Sequence, residues 1–381
     1  MNTTKFIVDS IRKIYDSQEY IPLLEPVLKG NEQKYVADAI ANSNVASQGK
    51  YIKKFEAKLC EVTGSEYVIC TSSGTSALHI ALLVVGVEKN DEVLTQSLSF
   101  VATANAISYC GASPNFMDVD LDSLGMSPKY LKEYLEKNSI QREGYCYNKH
   151  TGNKISACMP MHTFGNPLRI DEIVSICNEY HIEVVEDAAQ ALGSFYKGKH
   201  VGTFGRLGVF SFNGNKIITS GGGGCICTDD EQLAKKIRFL INQAKEDYAW
   251  EYVHSEIGYN YKMPNLNAAL GLGQLEQLDD FLIQKKELYQ KYKYAFEENK
   301  DIQLVDAIDD AISNNWLQTI LFDDSKERDN FLKFTHQNNI QTRAVWKPLH
   351  QLSMFKNLHQ NNLNNTEYLS IRLVNLPSML Y

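Results

Sequence analysis

The chain has 381 residues, 44% of them hydrophobic and 22% charged, a composition that supports two sizeable packed cores and excludes a disordered chain. Its formal net charge of -8 argues against nucleic acid or an anionic membrane as the main partner, because both call for a basic face. Met1 to Gln18 is polar and no later segment approaches the roughly eighteen apolar residues of a membrane span, so a cytoplasmic protein is expected.

After the polar start, Asn31 to Asn42 and Tyr51 to Val62 read as two short amphipathic helices separated by a loop rich in turn formers. A repeating pattern then begins. The strand Tyr67 to Thr71 precedes a helix through Val85, Glu92 to Gln96 precedes a helix from Phe100 to Cys110, and Ser113 to Val119 precedes one from Ser127 to Lys137. Ile155 to Met161, a helix from Ile170 to Tyr180, and Ile182 to Glu186 continue the series. Strands alternating with helices predict a largely parallel sheet covered on both faces. Gln141 to Lys154 reads as a polar surface insertion.

Past four glycines, Gly221 to Gly224, Cys225 to Thr228 is placed to close the sheet and Glu231 to Gln243 reads as a helix. Asn265 to Phe296 reads as one long helical region. Ile302 to Val305, Trp316 to Phe322, Glu327 to Gln337 and Ile340 to Ala344 form a second, mixed α/β unit. The expected division is a large domain over 1–250 and a smaller one over 251–381. Eight cysteines form no C-x-x-C pair and match no histidine cluster, so they read as core hydrophobes in a reducing compartment, with no metal site.

In open α/β sheets ligands gather at the carboxyl ends of strands, which directs attention to the residues just after each one. Ser72-Ser73-Gly74-Thr75-Ser76 opens a helix, a geometry that holds a phosphate through free backbone N–H groups and also one that simply caps the helix. Glu186 and Asp187 end a strand, and alternation sends only one of them into a pocket. Such an acid serves to bind a metal or a ribose, or to hold a protonated ring nitrogen. His162 also follows a strand. Lys216 lies five residues after Ser211 and just before the glycine run. Desolvation lowers a lysine's pKa and makes its neutral amine a nucleophile toward an aldehyde. No Gly-x-Gly-x-x-Gly, Gly-x-Ser-x-Gly or His-Glu-x-x-His supports a dinucleotide enzyme or a hydrolase.

Five segments in this order, Ser-Gly-Thr-Ser-Ala-Leu (73 to 78), Ser-Phe-Val-Ala-Thr-Ala-Asn-Ala (99 to 106), Glu-Asp-Ala-Ala-Gln-Ala-Leu-Gly (186 to 193), Ser-Phe-x-x-x-Lys (211 to 216) and Gly-Tyr-Asn-Tyr-Lys-Met (258 to 263), resemble those of the DegT/DnrJ/EryC1/StrS nucleotide-sugar aminotransferases. The resemblance runs from about residue 20 to the Leu-Pro-Ser near the C-terminus. It implies a fold-type I enzyme, with a mostly parallel seven-stranded sheet between helices in the large domain and a smaller C-terminal α/β domain. It also implies pyridoxal 5'-phosphate as cofactor, with the pyridoxamine form as intermediate.

Residue by residue, the resemblance makes Lys216 the covalent attachment point of the cofactor and then the base that moves a proton. Asp187 pairs with the pyridine nitrogen, Phe100 stacks on the ring and Gln190 sits near its phenolic oxygen. Thr75, the Ser76 amide and Ser211 hold the phosphate. Asn260 reaches the phosphate of a neighbouring subunit, which implies a homodimer with shared sites. Trp346, Lys347 and His350 border the nucleotide-sugar site. Asn213-Gly214-Asn215 and His162-Thr163-Phe164-Gly165 resemble the branch acting on 4-keto-6-deoxy-N-acetylhexosamine nucleotides of the bacillosamine and legionaminic acid routes, with His162 near the sugar. The chain lacks the glutamate that many members carry after the lysine segment.

The implied reaction moves an amino group from L-glutamate to the 4-keto carbon of a UDP- or GDP-linked sugar. Amination at C3 of another keto sugar and a pyridoxal-phosphate-binding regulatory protein without turnover are the alternatives. A dehydratase is disfavoured, since those relatives carry histidine where Lys216 stands.

Overall fold

A computed structural model describes residues 3–297, 299, 302–358 and 361–380. The strands in chain order are β1 Tyr67–Thr71, β2 Glu92–Gln96, β3 Ser113–Met117, β4 Ser139–Arg142, β5 Tyr145–Asn148, β6 Ile155–Met159, β7 Glu183–Asp187, β8 Phe195–Tyr196, β9 Lys199–His200, β10 Leu207–Ser211, β11 Gly224–Thr228, β12 Gln303–Leu304, β13 Ala311–Ile312, β14 Gln318–Leu321, β15 Arg343–Ala344 and β16 Leu373–Leu376. The helices are α1 Thr3–Tyr15, α2 Glu32–Ala41, α3 Lys50–Thr63, α4 Gly74–Val84, α5 Val101–Tyr109, α6 Pro128–Asn138, α7 Ile170–Glu179, α8 Glu231–Ile241, α9 Asn265–Leu275, α10 Leu278–Phe296, α11 Ser325–Gln337 and α12 Asn364–Ser370.

Seven strands form the central sheet in the order β1-β11-β10-β7-β6-β2-β3. Neighbours from β10 to β3 pair in parallel, while β11 runs antiparallel to both β10 and β1. Alternation along β1 explains the two buried faces: Val68 and Cys70 pack with α3 and α9 on one side, and Ile69 packs with α4 and α8 on the other. Each such buried aliphatic side chain contributes about 1.5–3 kcal/mol. The parallel strands place their carboxyl ends along one edge, where the loops leading into α4, α5 and the Lys216 segment meet.

A second, antiparallel sheet, β12-β14-β16-β15, carries the C-terminal unit. Packing crosses the expected division at residue 250 in both directions. The polar start is an amphipathic helix, α1, whose Ile7, Val8 and Ile11 pack on Leu288, Tyr292 and Phe296 of α10. Conversely, α9 packs against α2 and α3 of the large unit. The long helical region breaks at Glu276–Gln277 into α9 and α10.

The expected surface insertion at 141–154 is an anchored hairpin. Asn148 at the end of β5 is 1% exposed and donates to Glu92 Oε2 at 2.8 Å, and Cys146 is buried beside it. The polar residues there satisfy a buried carboxylate, which is why their polarity reads as surface in the sequence. All eight cysteines are free thiols, and six of them are buried. No helix among the described residues is long and apolar enough to cross a membrane.

Candidate active site

At the carboxyl edge of the central sheet lies a cavity of about 450 Å³. Thr75, Phe100, Asp187, Gln190, Ser211 and Lys216 all line it, although the first and last stand 141 positions apart (216 − 75). One wall is the start of α4. Ser73 caps this helix, its Oγ accepting from Ser76 N while Ser76 Oγ accepts from Ser73 N, both at 3.0 Å. The Ser76 amide expected to meet the phosphate is thus bonded within the helix cap, and Ser76 is not part of the cavity lining. The amides of Gly74 and Thr75 have no protein acceptor among the described residues, and both residues line the cavity. A helix N-terminus with two open amides, beside the Ser211 hydroxyl, is a cradle for an anion.

The glycine run closes this wall. A Cβ on Gly224 would lie 2.6 Å from Gly74 N, so β11 can pass the cradle only as bare backbone. Gly222 and Gly223 do face the cavity, while Gly221 sits at φ +75° in the turn. The run therefore packs against α4 as well as leaving room for a ligand.

The floor is the end of β7. Glu186 and Asp187 point to opposite sides, as alternation requires. Asp187 is 2% exposed and accepts from Thr103 Oγ1 at 2.7 Å and Ala189 N at 3.2 Å. Burial pushes its pKa up against these donors and the field of Lys216. A carboxylate in that position is completed by a cation, and the cavity in front of it is where that cation belongs. Glu186 is buried behind the sheet, accepting from Gly202 N, Phe204 N and Gly205 N.

Lys216 projects from the loop joining β10 to β11. Part of its side chain is accessible from the cavity, yet burial lowers its amine from 10.5 to about 8, opposed by Asp187. The loop is tied at its base, with Phe212 N donating to Gly223 O and Ser220 N to Phe212 O, each at 2.9 Å. Gln190 Oε1 accepts from Phe164 N at 2.7 Å, which leaves its NH2 group for the cavity. Phe100, 49% exposed, stands at the mouth with its ring 6.2 Å from that of Trp346.

Three residues expected near the sugar are placed elsewhere. His162 is fully buried, its Nε2 3.1 Å from Glu186 Oε2 and its Nδ1 accepting from Leu168 N, so it serves the fold behind the sheet. His350 is buried with Nδ1 2.7 Å from Ser97 Oγ. Lys347 is exposed and off the cavity wall, whereas its neighbour Trp346 lines it. Asn260 is exposed and takes no part in its own chain's cavity.

The sequence reading passed over Thr103, Phe164, Trp316, Arg343 and Asn375, all of which line the cavity. Thr103 stands three residues after Phe100 in the first turn of α5, and Phe164 lies inside the motif that drew attention to His162. Those two carried a signal. Trp316, Arg343 and Asn375 come from the second unit, and no local pattern marks them.

A ligand bearing a phosphate, an aldehyde and a protonated ring nitrogen satisfies cradle, lysine and carboxylate together, and pyridoxal phosphate bears all three. Fold and site thus define a fold-type I pyridoxal-phosphate enzyme. The DegT/DnrJ/EryC1/StrS aminotransferase family matches residues 26–380. EpsN of Bacillus subtilis is 39% identical over 335 residues, covering 88% of this chain and 84% of that protein. GDP-perosamine synthase of Escherichia coli O157:H7 is 37% identical over 360 residues, covering 94% and 93%. The structure of Helicobacter pylori PseC, an aminotransferase involved in the biosynthesis of pseudoaminic acid, superposes with a TM-score of 0.85 at 25% identity over 94% of each chain. The chain belongs to the DegT/DnrJ/EryC1/StrS aminotransferase family and is a pyridoxal-phosphate-dependent nucleotide-sugar aminotransferase.

When bound, pyridoxal phosphate supplies the electron sink that stabilises negative charge on the reacting carbon. The chain's own residues supply the rest. The α4 amides and Ser211 would hold the phosphate, Asp187 would keep the ring nitrogen protonated, and Thr103 with Ala189 orients Asp187. Lys216, in its neutral form, would take and return a proton at the reacting carbon.

Proposed function

We propose that the enzyme transfers an amino group from L-glutamate to the 4-keto carbon of a UDP- or GDP-linked 4-keto-6-deoxy-N-acetylhexosamine. The observation that carries a sugar nucleotide is the lining of the cavity. The cavity is lined by Phe100, Phe164 and Trp346, whose rings contact one another through Trp346, and by Arg343 and Asn375, paired on the second sheet. Aromatic faces suit a sugar ring and a base, and a guanidinium suits a diphosphate. The names of two relatives, each a GDP-perosamine synthase matching 94% of the chain, favour GDP as the carrier.

Asn260 is read as the second copy's contribution to the phosphate site, consistent with its exposure on its own chain. The enzyme then works as a homodimer, in the cytoplasm, where nucleotide sugars are made.

The test loads the protein with pyridoxamine phosphate and follows return of the aldehyde form by absorbance with a panel of keto nucleotide sugars. Return is expected with 4-keto N-acetyl sugars, the product bearing nitrogen at C4 by NMR. No return with any of them would sink the substrate; nitrogen at C3 would move the reaction to the neighbouring carbon.

A further inference from the structure

One part of the cavity wall has no role in the chemistry above. Trp316, 4% exposed, comes from the C-terminal unit and sets its indole face over Lys216, with Nζ 4.4 Å from the ring centroid. Its ring N–H donates to the carbonyl of Asn215, the residue before the lysine, at 2.6 Å. One side chain thus touches both the reacting amine and the backbone that carries it.

Trp316 is itself fixed at both backbone groups. Its N–H donates to Asn314 Oδ1 at 2.9 Å, and Asn314 Nδ2 donates in turn to the carbonyls of Gln190 and Leu192, each at 2.9 Å. Its carbonyl accepts from Lys285 Nζ at 3.0 Å, and the same amine donates to the carbonyl of Ser378. Lys285 is 1% exposed and lies outside the cavity lining. Gly165 makes room for this arrangement: at φ +92°, a Cβ there would come within 2.0 Å of Asn314 Oδ1.

We propose that Trp316 is a positioning residue for Lys216, and that Lys285 acts through it: the second unit holds the reacting amine and its loop in place by an indole whose station a buried lysine secures. The need is chemical. Whenever Lys216 is not tied to the cofactor, its four-carbon stem is free to rotate, while proton transfer requires the amine within hydrogen-bond reach of one carbon. A π face attracts the amine where water is scarce, and the bond to Asn215 stops the loop from carrying the amine away. This also gives Asn213-Gly214-Asn215 a role, since the carbonyl that ends this turn is the attachment point.

The inference rests on Lys216 being the reacting lysine, and its test needs neither sugar nor donor. Protein in the pyridoxamine form, where Lys216 is free, is treated with limiting acetic anhydride, and acetylation is timed at each lysine by peptide mass. Trp316→Phe keeps a ring but loses the N–H, and Lys285→Met keeps bulk but loses both donors. Both are expected to acetylate Lys216 about threefold to tenfold faster, the effect of losing one hydrogen bond. In Trp316→Phe the buried Lys285 should label at its wild-type rate.

Labelling of Lys216 at the wild-type rate in Trp316→Phe overturns the proposal. So does an equal rise at Lys285, which would make Trp316 ordinary core packing. Wild-type labelling of Lys216 in folded Lys285→Met removes Lys285 from the proposal; should that variant not fold, Lys285→Arg, which keeps donors but displaces them, takes its place with the same expectation. A wrong assignment of Lys216 would appear separately, as borohydride fixing the aldehyde-form cofactor on another peptide.

Discussion

Lys285 and Lys216 differ in what their amines meet. Around Lys285 the protein supplies two carbonyl acceptors, and the side chain does not line the active-site cavity, although burial lowers its pKa to about 7. Around Lys216 it supplies an indole face, a distant carboxylate and open space, with the amine at about 8. Desolvation acts on both in the same direction, so a lowered pKa alone does not mark the reactive one. What marks it is a lowered pKa next to room for an aldehyde. Lys285 ties two segments of the second unit by hydrogen bonds, whereas Lys216 meets an indole face and the cavity.

Substitution breaks this comparison most sharply at Lys216. Lys216→Met should lower transamination by more than about 10⁴-fold, beyond the range of an ordinary acid or base, and borohydride should leave no cofactor on that peptide. Steady-state rates and peptide mass read both. Next in size, Asp187→Asn removes the charge that completes a buried pair. A loss of about 3–5 kcal/mol corresponds to roughly 10²- to 5 × 10³-fold in rate, read as kcat in the same assay.

The smallest effect concerns stability. Folding lowers the Lys216 amine from 10.5 to about 8, so between those values the unfolded chain binds more protons and stability rises with pH. Lys216→Met carries no such slope. Cofactor-free Lys216→Met should therefore be more stable than wild type near pH 7 by about 1–3 kcal/mol, allowing for the face the lysine shows to the cavity, with the advantage fading toward pH 10.5. Denaturant midpoints across that range test it, and a constant difference would mean that the amine is not desolvated.

The contrast between the two lysines also shows what a sequence reveals. Lys216 announces itself by neighbours along the chain, a serine five residues before it and glycines after it. The same holds for Thr75 and Asp187, which follow strands whose alternation with helices is plain in the residues, so this wall of the cavity is legible. Lys285 lies in an amphipathic helix where nothing local separates it from solvated lysines such as Lys286. Its partners are the carbonyls of Trp316 and Ser378, brought together by tertiary packing. Arg343 and Asn375 are hidden for the same reason, since both stand on strands of the second sheet that are only four residues long or shorter. His162 misled in the opposite way: its position after a strand suggested a ligand contact, and Glu186, on the far face of the next strand, takes its ring. A hydrogen bond between side chains 24 residues apart has no signature in a local motif.

Phe212, Ser220 and Gly223 close the base of the Lys216 loop by backbone hydrogen bonds among themselves, and β10 and β11 hold its ends inside the central sheet. Every bond in this set runs between main-chain groups. Side chains along 213–219 can therefore change without opening the base of the loop, so the frame that presents Lys216 and the residues that dress it are free to vary separately.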